Sequence, residues 1–139
     1  MESATIEVLG KPIGKGRPRF RSTGRFVQTY TPDKTVEFEN LVRLEWHNAG
    51  NDMLRGNISA EIRAYFPIPK SVSKKKRAEM IHASYPHKPD CDNIAKAVLD
   101  ALNGVAYEDD AQVVELAVIK KYAETPKTVI TLCEKEDVI

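Results

Sequence analysis

Four aspartates bracket one candidate helix. The run Pro89-Asp90-Cys91-Asp92-Asn93 precedes a helical pattern, and Tyr107-Glu108-Asp109-Asp110-Ala111-Gln112 follows it. Pro89 biases Lys88 toward an extended conformation, and if that extension continues, Asp90 and Asp92 point to one side. A helix leaving from Asp92, with a loop around Gly104 bringing the chain back, would return Asp109 or Asp110 to the same end. Two or three convergent carboxylates with no histidine or thiolate form a hard-cation donor set, which favours Mg²⁺ or Mn²⁺ over zinc. Lys96 lies one helical turn beyond Asp92 and is the only cation in residues 89–115. An ammonium there is placed to meet a phosphate oxygen beside such a metal, and the helix N-terminus would add to the pull on an anion.

Each of these residues also has an ordinary reading. Asp92 alone is a good helix N-cap, Asp109-Asp110 alone a polar turn, and Lys96 with Asp100 a solvated ion pair worth only ~0.3–0.5 kcal/mol. What favours a site is four acids of one type flanking one helix. The histidines His47, His82 and His87 share no ligand spacing, and Cys91 and Cys133 form neither a CxxC pair nor a zinc pattern. Glycines 10, 14 and 16 match neither a P-loop nor a dinucleotide fingerprint.

The elements needed to position these residues can be read from pattern. Ile6–Leu9 is a short strand ended by Gly10-Lys11-Pro12. Residues 15–25, KGRPRFRSTGR, hold five cations, a proline and two glycines, and with strand 26–30 they read as a hairpin arm. Thr31-Pro32 resembles an N-cap with proline at the first helical position, opening a helix that runs to about Asn48, with Trp46 as core or interface. Residues 58–66 alternate apolar and polar as a half-buried strand does. Ser71 or Ser73 could cap a short basic helix containing Lys74, Lys75, Lys76 and Arg77, which has few apolar anchors and is expected to be mobile. Residues 92–103 carry Ile94, Ala97, Val98, Ala101 and Leu102 on one face, with Gly104 at C′. Two strands, 112–122 and 127–133, close the chain as an expected hairpin about Glu124-Thr125-Pro126. Without regular βα alternation the class is α+β, with a mixed sheet of about five strands, two main helices and one short basic helix.

Length and composition bound the rest. At 139 residues, with 42% hydrophobic and 29% charged side chains, the chain suits one domain over residues 1–139 with a solvated surface. There is no run of roughly 18 uncharged apolar residues and no leader pattern at the start, which leads to the expectation of a cytoplasmic protein without a membrane partner. The net charge of +1 argues against nucleic acid until it is divided along the chain. Residues 1–35 hold seven basic and three acidic side chains and residues 70–88 six and one, whereas residues 89–115 hold one and seven. Two basic blocks flank an acidic one, the distribution a metal nuclease needs. Arg17, Arg19, Arg21 and Arg25 suit bidentate phosphate contact, and Phe20 and Phe26 interleave with them as wedging or stacking side chains.

The stretch KPDCDNIAKAVLDALNGVAYEDDAQV, with its D-x-D-N-x-x-K-x-x-x-D-A-L core and later D-D-x-Q-V, resembles the signature of RusA-type Holliday-junction resolvases. GKGRPRFRSTGRFVQTYTP resembles the amino-terminal arm of that family. The resemblance implies a homodimeric, Mg²⁺-dependent endonuclease that nicks two opposed strands of a four-way DNA junction in recombination or repair, leaving 5′-phosphate and 3′-hydroxyl ends. It implies Asp90, Asp92 and Asp110 as metal-binding catalytic acids, Lys96 as catalytic lysine and Asp109 as an adjacent acid. Asn93, Lys88, Lys15 and the four arginines of the arm become DNA-binding candidates. One acid cluster per chain and two symmetric cuts agree with a twofold dimer. A broader flap or fork nuclease, and a DNA-binding dimer without catalysis, are the alternatives.

Overall fold

The computed structural model describes residues 2–17, 19–30 and 32–136, without the side chains at 19, 23 and 28–30. Strand β1 spans Ser3–Leu9, and β2 (Arg19–Thr23) and β3 (Phe26–Tyr30) pair as the expected antiparallel hairpin. Helix α1 (Asp33–Asn48) follows, then β4 (Ile58–Pro67), the short helix α2 (Lys74–Met80) and helix α3 (Cys91–Leu102). A 3₁₀ turn at Asp110–Gln112 leads into β5 (Val113–Ala123), and β6 (Lys127–Glu134) ends the described chain. The class is α+β. Among the described residues six strands form, of which four make a mixed sheet in the order β1-β6-β4-β5 while the hairpin stands apart as its own two-stranded ribbon.

The alternation read in residues 58–66 makes β4 the middle of the core. Its inward residues Ile58, Ala60, Ile62, Ala64 and Phe66 are buried, as are Ala4, Ile6 and Val8 of β1 and Ile130 and Leu132 of β6. Helices α1 and α3 cover that face with Phe38, Val42 and Trp46 from one and Ile94, Ala97, Val98, Ala101 and Leu102 from the other. The opposite face carries Ser59, Glu61, Arg63 and Tyr65 and stays half-exposed, as one-sided sheets do.

Two expectations need correction. Residues 124–126 do join β5 to β6, but these strands do not pair with each other, because β4 lies between them. β5 runs parallel to β4 and β6 antiparallel to it. A strand whose inward side chains are this fully buried takes neighbours on both edges, and its pairing to β6 stops at Tyr65, short of Pro67, so the connection crosses its end. The parallel pair in turn needs a long crossover, supplied by residues 68–112 with α2 and α3. The second correction concerns helix starts. Pro32 is the N-cap of α1 rather than its first residue, and Thr31 lies outside the described residues. Asp90 rather than Asp92 is the N-cap of α3, which places Asp92 inside the first turn. Ser73 caps α2 as expected, its hydroxyl accepting the Lys76 N–H at 3.1 Å.

Candidate active site

The amino-terminal end of α3 gathers three of the four principal candidates. Asp90 is extended, with φ −70° and ψ 154°, while Asp92 is helical and Lys96 follows one turn later. The two acids therefore share a helix terminus by capping geometry, not by the period of an extended strand. Lys96 is exposed and makes no hydrogen bond or ion pair among the described residues, so its ammonium is available to an incoming anion.

A strap formed by residues 81–90 delivers Asp90 to this end. It is sewn to β5 by hydrogen bonds from His82 N to Tyr122 O, Tyr122 N to Ala83 O and Tyr85 N to Lys120 O. The Tyr85 ring stacks on Phe66 at 3.8 Å, and its hydroxyl donates to Lys88 O at 3.3 Å. The Lys120 ammonium, half-buried, donates to the carbonyls of His87 (2.7 Å) and Pro89 (3.0 Å). Lys88 donates to the Asp90 carboxylate at 2.8 Å. That hydrogen bond, with the positive charges of Lys88 and Lys120, outweighs burial and holds the Asp90 carboxyl below its ordinary range. Lys120 was missed by the sequence reading. Its only signal is register, which sets it on the same side of β5 as Val118 and Tyr122 and opposite inward-facing Ala64.

Asp109 and Asp110 lie elsewhere. The Asp110 N–H donates to the side-chain oxygen of Asn103, the C-cap of α3, at 3.1 Å. Asp109 is the N-cap of the 3₁₀ turn, and its N–H donates to Gln112 Oε1 at 3.1 Å. The buried Tyr107, whose hydroxyl donates to Leu99 O at 2.7 Å, is pushed well above the ordinary tyrosine pKa by burial and by the charges of Asp110, Asp100 and Asp109. The 12 residues of α3 separate its ends by roughly 17 Å. Strand β5 reports the same separation, because Asp110 adjoins its start at Val113, while Lys120, bonded to the strap, is seven residues on, roughly 23 Å. The expected return of Asp109 or Asp110 to the Asp90 end does not occur within one chain, since Asp110 is bonded to Asn103 at the opposite end of α3.

The arm passes the Asp90 end. The arm crosses the start of α3 where Lys15 N donates to Asn93 O at 2.8 Å, and that of α1 where Gly16 N donates to the buried Thr35 hydroxyl at 3.0 Å. Both approaches need glycine. A Cβ on Gly14 would lie 2.7 Å from Pro89 Cβ and 3.1 Å from Asn93 Cβ, and one on Gly16 would lie 2.7 Å from Pro32 Cγ. The Lys15 side chain turns inward, its ammonium 2.8 Å from Glu39 and 3.3 Å from Asp100, so it braces the arm against both helices. Asp100 thus pairs with Lys15, where the sequence offered Lys96. Arg17 and Lys34 line a cleft of about 450 Å³ beside this crossing. Arg21 and Arg25 are exposed on the hairpin, and the Arg19 side chain lies outside the described residues. Lys74, Lys75 and Lys76 are exposed on α2, whereas Arg77 bonds Glu124 and Pro69 O.

The acidic end of α3 stands beside Lys88, Lys96 and Lys120. The family profile described as endodeoxyribonuclease RusA matches residues 10–133. The chain belongs to the RusA endodeoxyribonuclease family. It is also 37% identical over 139 residues, covering 96% of this chain and 98% of the other, to the uncharacterized protein YqaN of Bacillus subtilis strain 168. The matched region contains both the D-x-D-N-x-x-K segment and the arm. Among the described residues no helix is long and apolar enough to cross a membrane.

A divalent cation, as RusA membership implies, is compatible with the donor chemistry at Asp90 and Asp92, because Mg²⁺ is commonly held by one or two carboxylates plus waters. Among the described residues, however, no three His, Cys, Asp or Glu side chains are gathered closely enough to hold a metal. Asp90 and Asp92 are thus the carboxylates that one chain offers at this end of α3.

Proposed function

We propose that this protein is a divalent-metal-dependent Holliday-junction resolvase acting as a homodimer. The observation that carries the reading is the meeting of Asp90, Asp92 and Lys96 at one end of α3, with the basic arm bonded across that end at Asn93. Asp90 and Asp92 would hold Mg²⁺, or Mn²⁺ in its place. When bound, that ion supplies a Lewis acid for the phosphodiester and lowers the pKa of a coordinated water. Lys96 contacts a non-bridging oxygen and stabilises the charge that accumulates as water attacks phosphorus. Breaking the bond from phosphorus to the 3′ oxygen gives 5′-phosphate and 3′-hydroxyl ends. Arg17, Arg21, Arg25 and the α2 lysines hold the backbone of branched DNA, with Asn93 beside the scissile phosphate.

Two copies complete the acid set. Asp110 sits at the far end of α3 from its own Asp90, so a twofold axis beside the helix would bring the partner's Asp110 to each Asp90–Asp92 pair. Val114 and Leu116, 51% and 47% exposed on edge strand β5 next to that end, supply apolar surface for such a contact. The two sites of the dimer then nick opposed strands, as recombination and repair of four-way junctions require.

Mixing tests this. Asp92→Asn and Asp110→Asn proteins should each bind but not cut a mobile four-way junction in Mg²⁺. After subunit exchange, the mixed dimer contains one site carrying both substitutions and one intact site. Nicking of one strand should return, with about a quarter of the sites restored at equal proportions. No recovery would place Asp110 outside a shared site, and undiminished cutting by Asp90→Asn and Asp92→Asn would remove the assigned acids altogether.

A further inference from the structure

The β2–β3 hairpin presents side chains that neither the core nor the proposed chemistry uses. Phe20 is 72% and Val27 67% exposed, and every described side chain of the ribbon is exposed. The register pairs Phe20 with Thr29 and Ser22 with Val27, which sets Phe20 and Val27 diagonally on one face about 7–8 Å apart, within reach of an aromatic ring. Arg21 belongs to the other face, as does Phe26, 72% exposed, so Phe20 and Phe26 do not share one face. Arg25 stands in the turn beside Gly24, whose φ of +66° suits the first position of a two-residue hairpin turn. The ribbon thus joins an apolar ridge of Phe20 and Val27 to a back that carries Arg21 beside Phe26 and to a cationic tip. A lone two-stranded ribbon gains little stability from such residues when nothing covers them.

Position and charge identify what covers the ridge. The ribbon grows from the arm that is bonded to Asn93 and Thr35, so it stands beside the end of α3 that carries Asp90 and Asp92. Residues 8–32 contain no acidic side chain, and like charge therefore opposes pairing of the ribbon with its copy in a second chain. DNA matches both faces, with phosphates for the arginines and the π faces of unstacked bases for the ridge. A continuous duplex has the phosphates but no unstacked base. We propose that Phe20 and Val27 form a wedge that stacks on bases opened at a DNA branch point and so sets the preference for branched over linear DNA. The proposal rests on the branched-DNA nuclease reading and adds the element that senses the branch.

The test uses the full-length protein, Ca²⁺ in place of Mg²⁺, and a four-way junction with 2-aminopurine beside the branch, against a linear duplex of the same sequence. Wild-type protein should raise the 2-aminopurine fluorescence on the junction. Phe20→Ala combined with Val27→Ala should abolish the rise and weaken junction binding at least about fivefold, the low end of one lost base stack, while duplex affinity stays within about twofold. Phe20→Trp should keep the rise, which guards against a merely misfolded ribbon. Equal weakening on both DNAs, or an unchanged fluorescence rise in the double variant, would overturn the wedge. So would a shift of the double variant to a smaller species in sedimentation, which would assign the ridge to self-association. Cleavage in Mg²⁺ is scored separately: a wild-type protein that cuts junctions without any fluorescence rise loses the wedge and keeps the nuclease reading, and one that cuts none loses the nuclease reading.

Discussion

Lys15 separates two roles that a basic residue in a basic arm can have. Its side chain is 19% exposed, its ammonium lies 2.8 Å from Glu39, whose side chain is 9% exposed, and the longer 3.3 Å contact goes to the more open Asp100. Lys15→Met removes the charge but keeps most of the stem. A charge-assisted hydrogen bond to a nearly buried carboxylate is worth about 1.5–3 kcal/mol. The partly solvated Asp100 pair adds at most about 1 kcal/mol, giving a loss of roughly 2–3 kcal/mol. For a chain of this size that lowers Tm by roughly 6–9 °C. The assay is urea unfolding of wild type, Lys15→Met, Glu39→Gln and the double variant, with duplex DNA affinity measured alongside. The double variant should lose little beyond either single one, a coupling of about 1–2 kcal/mol. Glu39 and Asp100 raise the Lys15 pKa above 10.5 despite the opposing effect of burial. The contribution of Lys15 is therefore complete below the unfolded-state value and disappears as pH rises through the higher folded one. The gap between wild type and Lys15→Met should narrow only above about pH 10.5. A loss under about 0.5 kcal/mol together with weakened DNA binding like that of Arg17→Ala would refute the bracing role and make Lys15 a phosphate contact.

The other predictions concern the same end of α3. Lys120→Met leaves the His87 and Pro89 carbonyls without their ammonium donor, at a cost of about 1–3 kcal/mol, and should speed hydrogen exchange in strap residues 82–85, with Lys120→Arg restoring part of the protection; unchanged exchange would remove its positioning role. Gly14→Ala drives a Cβ to 2.7 Å from Pro89 Cβ, so it should destabilise by about 1–3 kcal/mol and reduce cleavage more than DNA affinity, a balance read from single-turnover rates beside binding isotherms. Tyr107→Phe removes the hydroxyl bonded to Leu99 O and should cost about 0.5–1.5 kcal/mol in urea unfolding without altering junction binding.

Much of the fold was legible locally. The i, i+3, i+4 run of α3, the strict alternation of β4 and the glycine-bearing hairpin each state their structure in a few neighbouring residues, because their hydrophobic period matches one backbone geometry. The partner of β5 was not legible. Residues 124–126 look like a hairpin turn, and only the demand of buried β4 for two neighbours reassigns them to a connection across its end. In the candidate site, Asp90, Asp92 and Lys96 were visible because one helix turn holds them. Lys120 was not, because its importance depends on the distant strap folding back over β5.

The residue types alone determined the chemistry available here: oxygen donors for a hard cation, one ammonium a turn away, and arginines for phosphate. Those properties belong to side chains and survive any fold. The tertiary structure decided where they stand. It turned Lys15 inward to Glu39, made Asp90 the cap of α3 and set Asp110 at the opposite end of that helix, where it is bonded to Asn103. Distances between segments far apart in sequence are set by packing over the whole core, which no local pattern encodes.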